Sequence, residues 1–132
     1  MPPRHFTPAQ ANEALAVVRP LVERMVAAKR ELDEAEERRD EATQKIAGNG
    51  GGIPPQELAE LHEQVDRAAA RVAEVVTELQ ELGLQVKDLD SGLVDFPSVR
   101  DGEEVLLCWH LGEAEVAYWH RIEDGFAGRR PL

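Results

Sequence analysis

The hydrophobic positions of this chain follow two periods, and the change between them falls at one glycine. Leu58, Leu61, Val65, Ala68, Val72, Val75, Leu79 and Leu82 step by three and four without a fault. That spacing puts all eight on one stripe of a helix, an a/d seam over nearly four heptads. Gly83 follows directly, where a left-handed residue commonly ends a helix. Upstream, Leu15, Val18, Val22 and Met25, then Lys29 and Leu32, run at the same period and predict a helix over 8–47. Beyond Leu32 this seam turns polar through Glu36 and Arg39, so the far half of the pair is expected to be weakly apolar. Between the helices, residues 48–54 (Gly48-Asn49-Gly50-Gly51-Gly52-Ile53-Pro54) form a flexible break. An antiparallel hairpin with arms of about 40 Å follows.

The first helix announces its start. Thr7 and Gln10 have the spacing of a capping box, and Pro8 suits the first helical position. Pro20 opposes the pattern, because a proline inside a helix removes a backbone hydrogen bond and crowds the preceding turn. It predicts a kink or break near Val18–Arg19, dividing the stretch into segments 8–18 and 20–47.

After Gly83 the period becomes two. Val105, Leu107 and Trp109 alternate with Leu106, Cys108 and His110, and Val116, Tyr118 and His120 alternate with Ala117 and Trp119. Leu93-Val94-Asp95-Phe96 is a short apolar run of strand length. Asp101-Gly102 is a strong hairpin signal and Leu111-Gly112-Glu113 a second turn. Three or four strands in up-and-down order are predicted. The expected fold class is therefore α+β: a long antiparallel two-helix hairpin, with its first helix kinked near Pro20, followed by a small antiparallel β-meander. The expected organisation is a single domain over 1–132, with helices at 8–47 and 55–82 and the β unit and its C-terminal tail at 84–132.

Composition narrows the function classes. A formal net charge of −11 repels phosphate backbones, so no nucleic-acid partner is expected. No run of about 18 apolar residues exists, so no membrane span is expected. Met1 to Ala11 lacks the apolar stretch of a signal peptide. Cys108 is the single cysteine, which excludes an internal disulfide and fits a reducing cytoplasm.

Candidate chemistry collects in the last third. Cys108 and His110 are two apart and share a face in a strand. An adjacent antiparallel strand would bring His120 or Glu113 towards them. Cys108, His110 and His120 are thus candidate metal ligands, and zinc suits a thiolate with imidazoles and a carboxylate. The spacing matches no standard zinc motif, and the plainer account makes Cys108 a small buried apolar residue. A nucleophilic Cys–His pair is a further option. The acidic residues Asp88, Asp90, Asp95, Asp101, Glu113 and Glu115 could bind a hard cation or serve as acid and base, although Asp88, Asp90 and Asp101 better suit turns. Asp95 differs because it sits between Val94 and Phe96. If buried it needs a partner, for which Arg100, Arg129 and His120 are available. The C-terminal segment Gly125-Phe126-Ala127-Gly128-Arg129-Arg130-Pro131-Leu132 could bind an anion or could simply dock Phe126 as a tail. Asp95, Glu113, His120 and Arg129 are the candidate ligand-binding set. His62-Glu63-Gln64-Val65-Asp66 begins like a zinc-protease helix but ends in Asp, and His62 is expected to face solvent. The run Glu31 to Glu41 reads as a solvated helix face with pairs such as Glu34–Arg38.

Several of these motifs occur together in a known family. Val86-Lys87-Asp88-Leu89-Asp90, Gly92-Leu93-Val94-Asp95-Phe96-Pro97, Leu107-Cys108-Trp109, Gly112-Glu113, Trp119-His120 and Gly125-Phe126-Ala127-Gly128-Arg129 are one part of the likeness. Phe6-Thr7-Pro8 and Val18-Arg19-Pro20-Leu21 are the other. Together they resemble the uncharacterised bacterial family known as domain of unknown function 2203. The resemblance implies a bacterial cytosolic protein and carries no activity with it.

Two function classes follow. The heptad seam with its half-polar far end suits a structural or interaction module, a homo-oligomer or a binder of a partner protein's helix. The Cys/His/acidic patch suits a metal-dependent enzyme or a small-ligand-binding protein. The first is the primary expectation and the second its alternative.

Overall fold

The computed structural model describes residues 4–49 and 52–132. Residues 1–3 of the lead-in, and Gly50 and Gly51 in the expected break, lie outside the described residues. Two helices, α1 (Pro8–Asn49) and α2 (Pro55–Glu81), precede five strands: β1 (Gln85–Asp88), β2 (Leu93–Arg100), β3 (Glu103–His110), β4 (Tyr118–Arg121) and β5 (Arg130–Pro131). The architecture is α+β as expected, with one sheet in the order β1-β2-β3-β4-β5, antiparallel throughout. There are five strands rather than three or four. The two that the alternation did not reveal are the short edges, and β5 comes from the segment expected to be a tail.

The capping box closes. Thr7 N–H donates to Gln10 Oε1 at 3.0 Å, and Gln10 N–H donates to Thr7 Oγ1 at 3.1 Å. The division near Val18–Arg19 does not occur, because α1 is helical from Pro8 to Asn49 with Pro20 inside it. Pro20 and Ala16 are both exposed. The carbonyl that Pro20 leaves without a donor is therefore on the solvent side, where water can bond it. Val18 and Val22, on the buried side, hold the helix in place.

The far half of the hairpin closes differently from the expected seam. Ala28, Ala35 and Ala42, seven residues apart, are the buried positions of α1 there. Lys29, Leu32, Glu36 and Arg39 are only partly buried. The buried stripe of α2 runs through Val65, Ala68, Val72, Val75 and Leu79, whereas Leu58, Leu61 and Leu82 of the expected stripe are only partly buried. Alanines let two helix backbones approach closely, so a seam of small residues can close where large ones would hold the helices apart. Lys29 instead reaches Asp33 at 2.7 Å and Asp90 at 3.1 Å, tying the hairpin to the β1–β2 turn.

The near half of α1 packs on the sheet. Phe6, Ala11, Leu15, Val18, Val22 and Met25 form one core with Val94, Phe96, Leu107 and Trp109. Phe6 meets Phe96 edge-on with centroids 5.3 Å apart, and Phe6 N–H donates to Pro97 O at 2.7 Å. By the two-residue alternation of strands, Asp95, Leu106 and Cys108 must then point to the opposite face.

The β1–β2 turn has to pass close under α1, and Gly92 permits it. Its φ is +69°, and a Cβ there would lie 2.7 Å from Val22 Cγ1 and 3.1 Å from Leu111 Cβ. Gly92→Ala combines a left-handed backbone with a steric clash and is expected to cost about 1–3 kcal/mol. Urea unfolding of the two proteins measures it, and an unchanged midpoint would contradict the close approach.

Candidate metal centre

Three adjacent strands each supply one side chain to the face turned away from the hairpin. Asp95 of β2 lies directly opposite Cys108 of β3. Cys108 lies opposite Tyr118 of β4, and Leu106 opposite His120, so His120 is diagonal to Cys108. Diagonal neighbours across a pair are within side-chain reach. All three residues are buried, with relative exposures of 1% for Asp95, 1% for Cys108 and 3% for His120. One ligand atom from each falls within 4.8 Å of the other two.

Hydrogen bonding fixes the imidazole. His120 Nδ1 lies 2.7 Å from the Arg121 carbonyl oxygen. A carbonyl only accepts, so Nδ1 carries the hydrogen. His120 Nε2 faces Asp95 Oδ2 at 3.1 Å, and one proton is shared between these two atoms. The other carboxylate oxygen, Asp95 Oδ1, is buried with no hydrogen-bond partner among the described residues.

The electrostatics follow from burial. Desolvation pushes the Asp95 acid above its ordinary value, opposed by the neighbouring charges of His120 and Lys87. Desolvation, with the Asp95 charge second, pushes the Cys108 thiol up to about 12. Without a cation the thiol is therefore neutral and a poor nucleophile.

The raised Asp95 value has a consequence for stability. The folded metal-free protein keeps that proton over a pH range in which the unfolded chain has released it. The resulting stabilisation is complete below the ordinary value of 3.8 and is lost as pH rises through the folded value. As pH rises from the ordinary value of 3.8 through the raised folded value, the unfolding midpoint of the wild-type apoprotein should fall relative to that of Asp95→Asn. A constant difference over that range would contradict the burial cost.

The arrangement has the donors of a metal site. A soft thiol, an imidazole and a carboxylate together suit zinc. The Nδ1–H bond to a backbone carbonyl is the usual outer-shell support of a metal-binding histidine, leaving Nε2 for the ion. A cation here would give Asp95 Oδ1 a partner and would stabilise the Cys108 thiolate.

The other predicted residues sit beside this group. His110 shares the face with Cys108, as expected, but is not one of the three. Its Nδ1 lies 2.9 Å from Leu111 O, its Nε2 is 3.7 Å from Glu113 Oε1, and its ring packs on Phe126. Asp95, expected as a ligand-binding residue, takes the place expected for His110. Glu113 and Arg129 pair with each other: Arg129 Nη2 donates to Glu113 Oε2 at 2.8 Å and to Oε1 at 3.0 Å. Glu113 Oε1 also accepts His110 N–H at 3.0 Å. Arg129 lies over the Tyr118 ring at 3.9 Å, whereas Arg130 lies over Trp119, on the opposite face of the sheet. The two arginines therefore do not form one anion loop. Asp88 behaves as a turn residue, accepting from Ser91 N–H at 2.8 Å. His62 is exposed, as expected.

Two positioning residues escaped the sequence. Asn12 clamps the backbone of Val116 in both directions, at 3.1 and 2.7 Å. Arg19 donates to the carbonyls of Glu113 and Ala114 at 3.2 and 3.0 Å. Both lie on the flank of the buried α1 stripe, a weak signal that polar side chains there had partners. A separate groove of about 460 Å³, lined by Arg4, Phe6, Val17 and Leu84 among others, shares no residue with the Asp95 group.

A helical hairpin bearing a five-stranded antiparallel meander, with a buried Asp–Cys–His group on the sheet face turned away from the hairpin, defines an α+β protein with a candidate metal centre. The chain belongs to the family described as uncharacterized conserved protein (DUF2203), whose model matches residues 4–132. Comparisons with curated proteins and with solved structures gave no match. Among the described residues, no helix is long and apolar enough to cross a membrane.

Proposed function

We propose that the protein is a metal-binding protein holding a single zinc ion on Asp95, Cys108 and His120, with one coordination position open. The observation that carries this is Asp95 Oδ1: a buried carboxylate oxygen without a partner, beside a thiol and an imidazole nitrogen within 4.8 Å. Buried polar atoms are normally satisfied, and a cation supplies what this one lacks. Three protein ligands with a free position is the pattern of zinc sites that bind water or substrate, as opposed to closed structural sites. A reducing cytoplasm, expected from the single cysteine, would keep the thiol available. A free Cys–His nucleophile has less support, because the Cys108 thiol is pushed up to about 12 and His120 is turned to Asp95.

Elemental analysis of the full chain after zinc loading and gel filtration tests the proposal. About one ion per chain is expected, and a chain that retains none ends it.

The primary expectation, an oligomerisation arm, rests on a polar far seam. Ala28, Ala35 and Ala42 are buried along that seam, which weakens the argument for a second copy there. The remaining support for a helix-binding role is the length of the hairpin.

A further inference from the structure

Among the described residues, two buried side-chain polar atoms have no hydrogen-bond partner: Asp95 Oδ1 and Arg129 Nε. They belong to one patch. Arg129 lies over the ring of Tyr118, and Tyr118 is the direct cross-strand partner of Cys108. The first atom is an acceptor lacking a cation, and the second is a charged donor lacking an acceptor.

Arg129 is held in place and is not a free surface arm. Glu113 takes both hydrogen bonds of Nη2, and the rings of Tyr118 and Phe126 stack on the guanidinium at 3.9 and 4.7 Å. Glu113 is itself anchored: its carbonyl accepts from Trp109 Nε1 at 3.0 Å and from Arg19. A guanidinium fixed on one edge and on its faces keeps its remaining N–H in a set direction. The Arg129 charge is also felt at the Cys108 thiol. An ion on Asp95 and Cys108 would be balanced by their two negative charges, and Arg129 by Glu113. Such a patch does not accumulate anions in general, so only a ligand bonded to both the metal and the donor is favoured.

We propose that the open coordination position beside Asp95, Cys108 and His120 takes a small oxyanion, a carboxylate or a phosphate, with one oxygen on the metal and a second accepting from Arg129 Nε–H. This rests on the metal site proposed above. Arg129 is then the residue that selects the ligand, and the ligand class is one with two oxygens on a single carbon or phosphorus.

The test uses the full chain loaded with cobalt(II), whose visible spectrum reports its ligands. Acetate and inorganic phosphate are titrated separately. At least one should shift the spectrum saturably, and which of them binds tighter assigns the source as carboxylate or phosphate. Arg129→Met, compared with wild type at full cobalt occupancy, should bind that anion about tenfold or more weakly, the scale of one lost charged hydrogen bond. Arg129→Lys keeps the charge but not the Nε–H, and should weaken binding similarly if Arg129→Met does not fold. Normal cobalt uptake with no response to either anion, or with equal responses in wild type and the Arg129 variants, overturns this inference and leaves the metal site standing. Failure to take up cobalt removes both.

Discussion

Cys108→Ser and His120→Ala are each expected to weaken zinc binding by at least about 100-fold, the upper end of what loss of mere outer-shell support costs. His110→Ala, on the same face, should retain the ion, because His110 is engaged with Leu111 and Glu113. Competition with a chromophoric chelator measures all three. The pH dependence should be steep. Binding removes the Cys108 thiol proton, so affinity should rise about tenfold or more per pH unit while that thiol remains protonated in the apoprotein. Zinc at about 100 times its dissociation constant should add about 2.7 kcal/mol to wild-type stability, and should add much less to either variant. Equal zinc affinity in wild type, Cys108→Ser and His120→Ala would rule these residues out as ligands.

Trp109→Ala should have the largest effect on stability. Trp109 is fully buried at the centre of the sheet–hairpin core, and its indole N–H donates to Glu113 O at 3.0 Å. Removing a buried tryptophan side chain costs about 3–5 kcal/mol from lost burial and the cavity left behind. A chain of this size has about 5–15 kcal/mol in total, so much of its stability would go. The same substitution loosens the Glu113 turn, on which Arg129 depends. Urea unfolding followed by far-UV circular dichroism should show an earlier midpoint, with Trp109→Phe intermediate. A loss below about 1 kcal/mol would mean that the core does not depend on this side chain.

The metal group also shows why strand sites are hard to read from one chain. Cys108 and His110 share a face by alternation alone, and that much was visible. Which third and fourth residues join Cys108 depends on how β2 and β4 are registered against β3. The register places Asp95 opposite Cys108 and leaves His110 opposite Leu93. A slip of two residues would preserve every alternation and change the ligand set. The missed α1 seam has a related cause. Alanine is common on both buried and exposed helix faces, so Ala28, Ala35 and Ala42 carry little signal until a partner helix is beside them. Lys29 and Arg39, long and amphipathic, can flank such a seam with their heads in water.

Local chemistry, by itself, was enough to determine the start of α1 at Thr7–Gln10, the buried stripe of α2, the turn at Asp101–Gly102 and the change of period at Gly83. Each depends on contacts within a few residues, and the sequence order already contains them. The unbroken passage of α1 through Pro20, the edge strands β1 and β5, the Asn12 and Arg19 clamps and the grouping of Asp95 with Cys108 and His120 were decided only by tertiary structure. Those depend on which face meets solvent and which strands lie side by side, and residues 25 or 104 positions apart become partners only once the chain has folded.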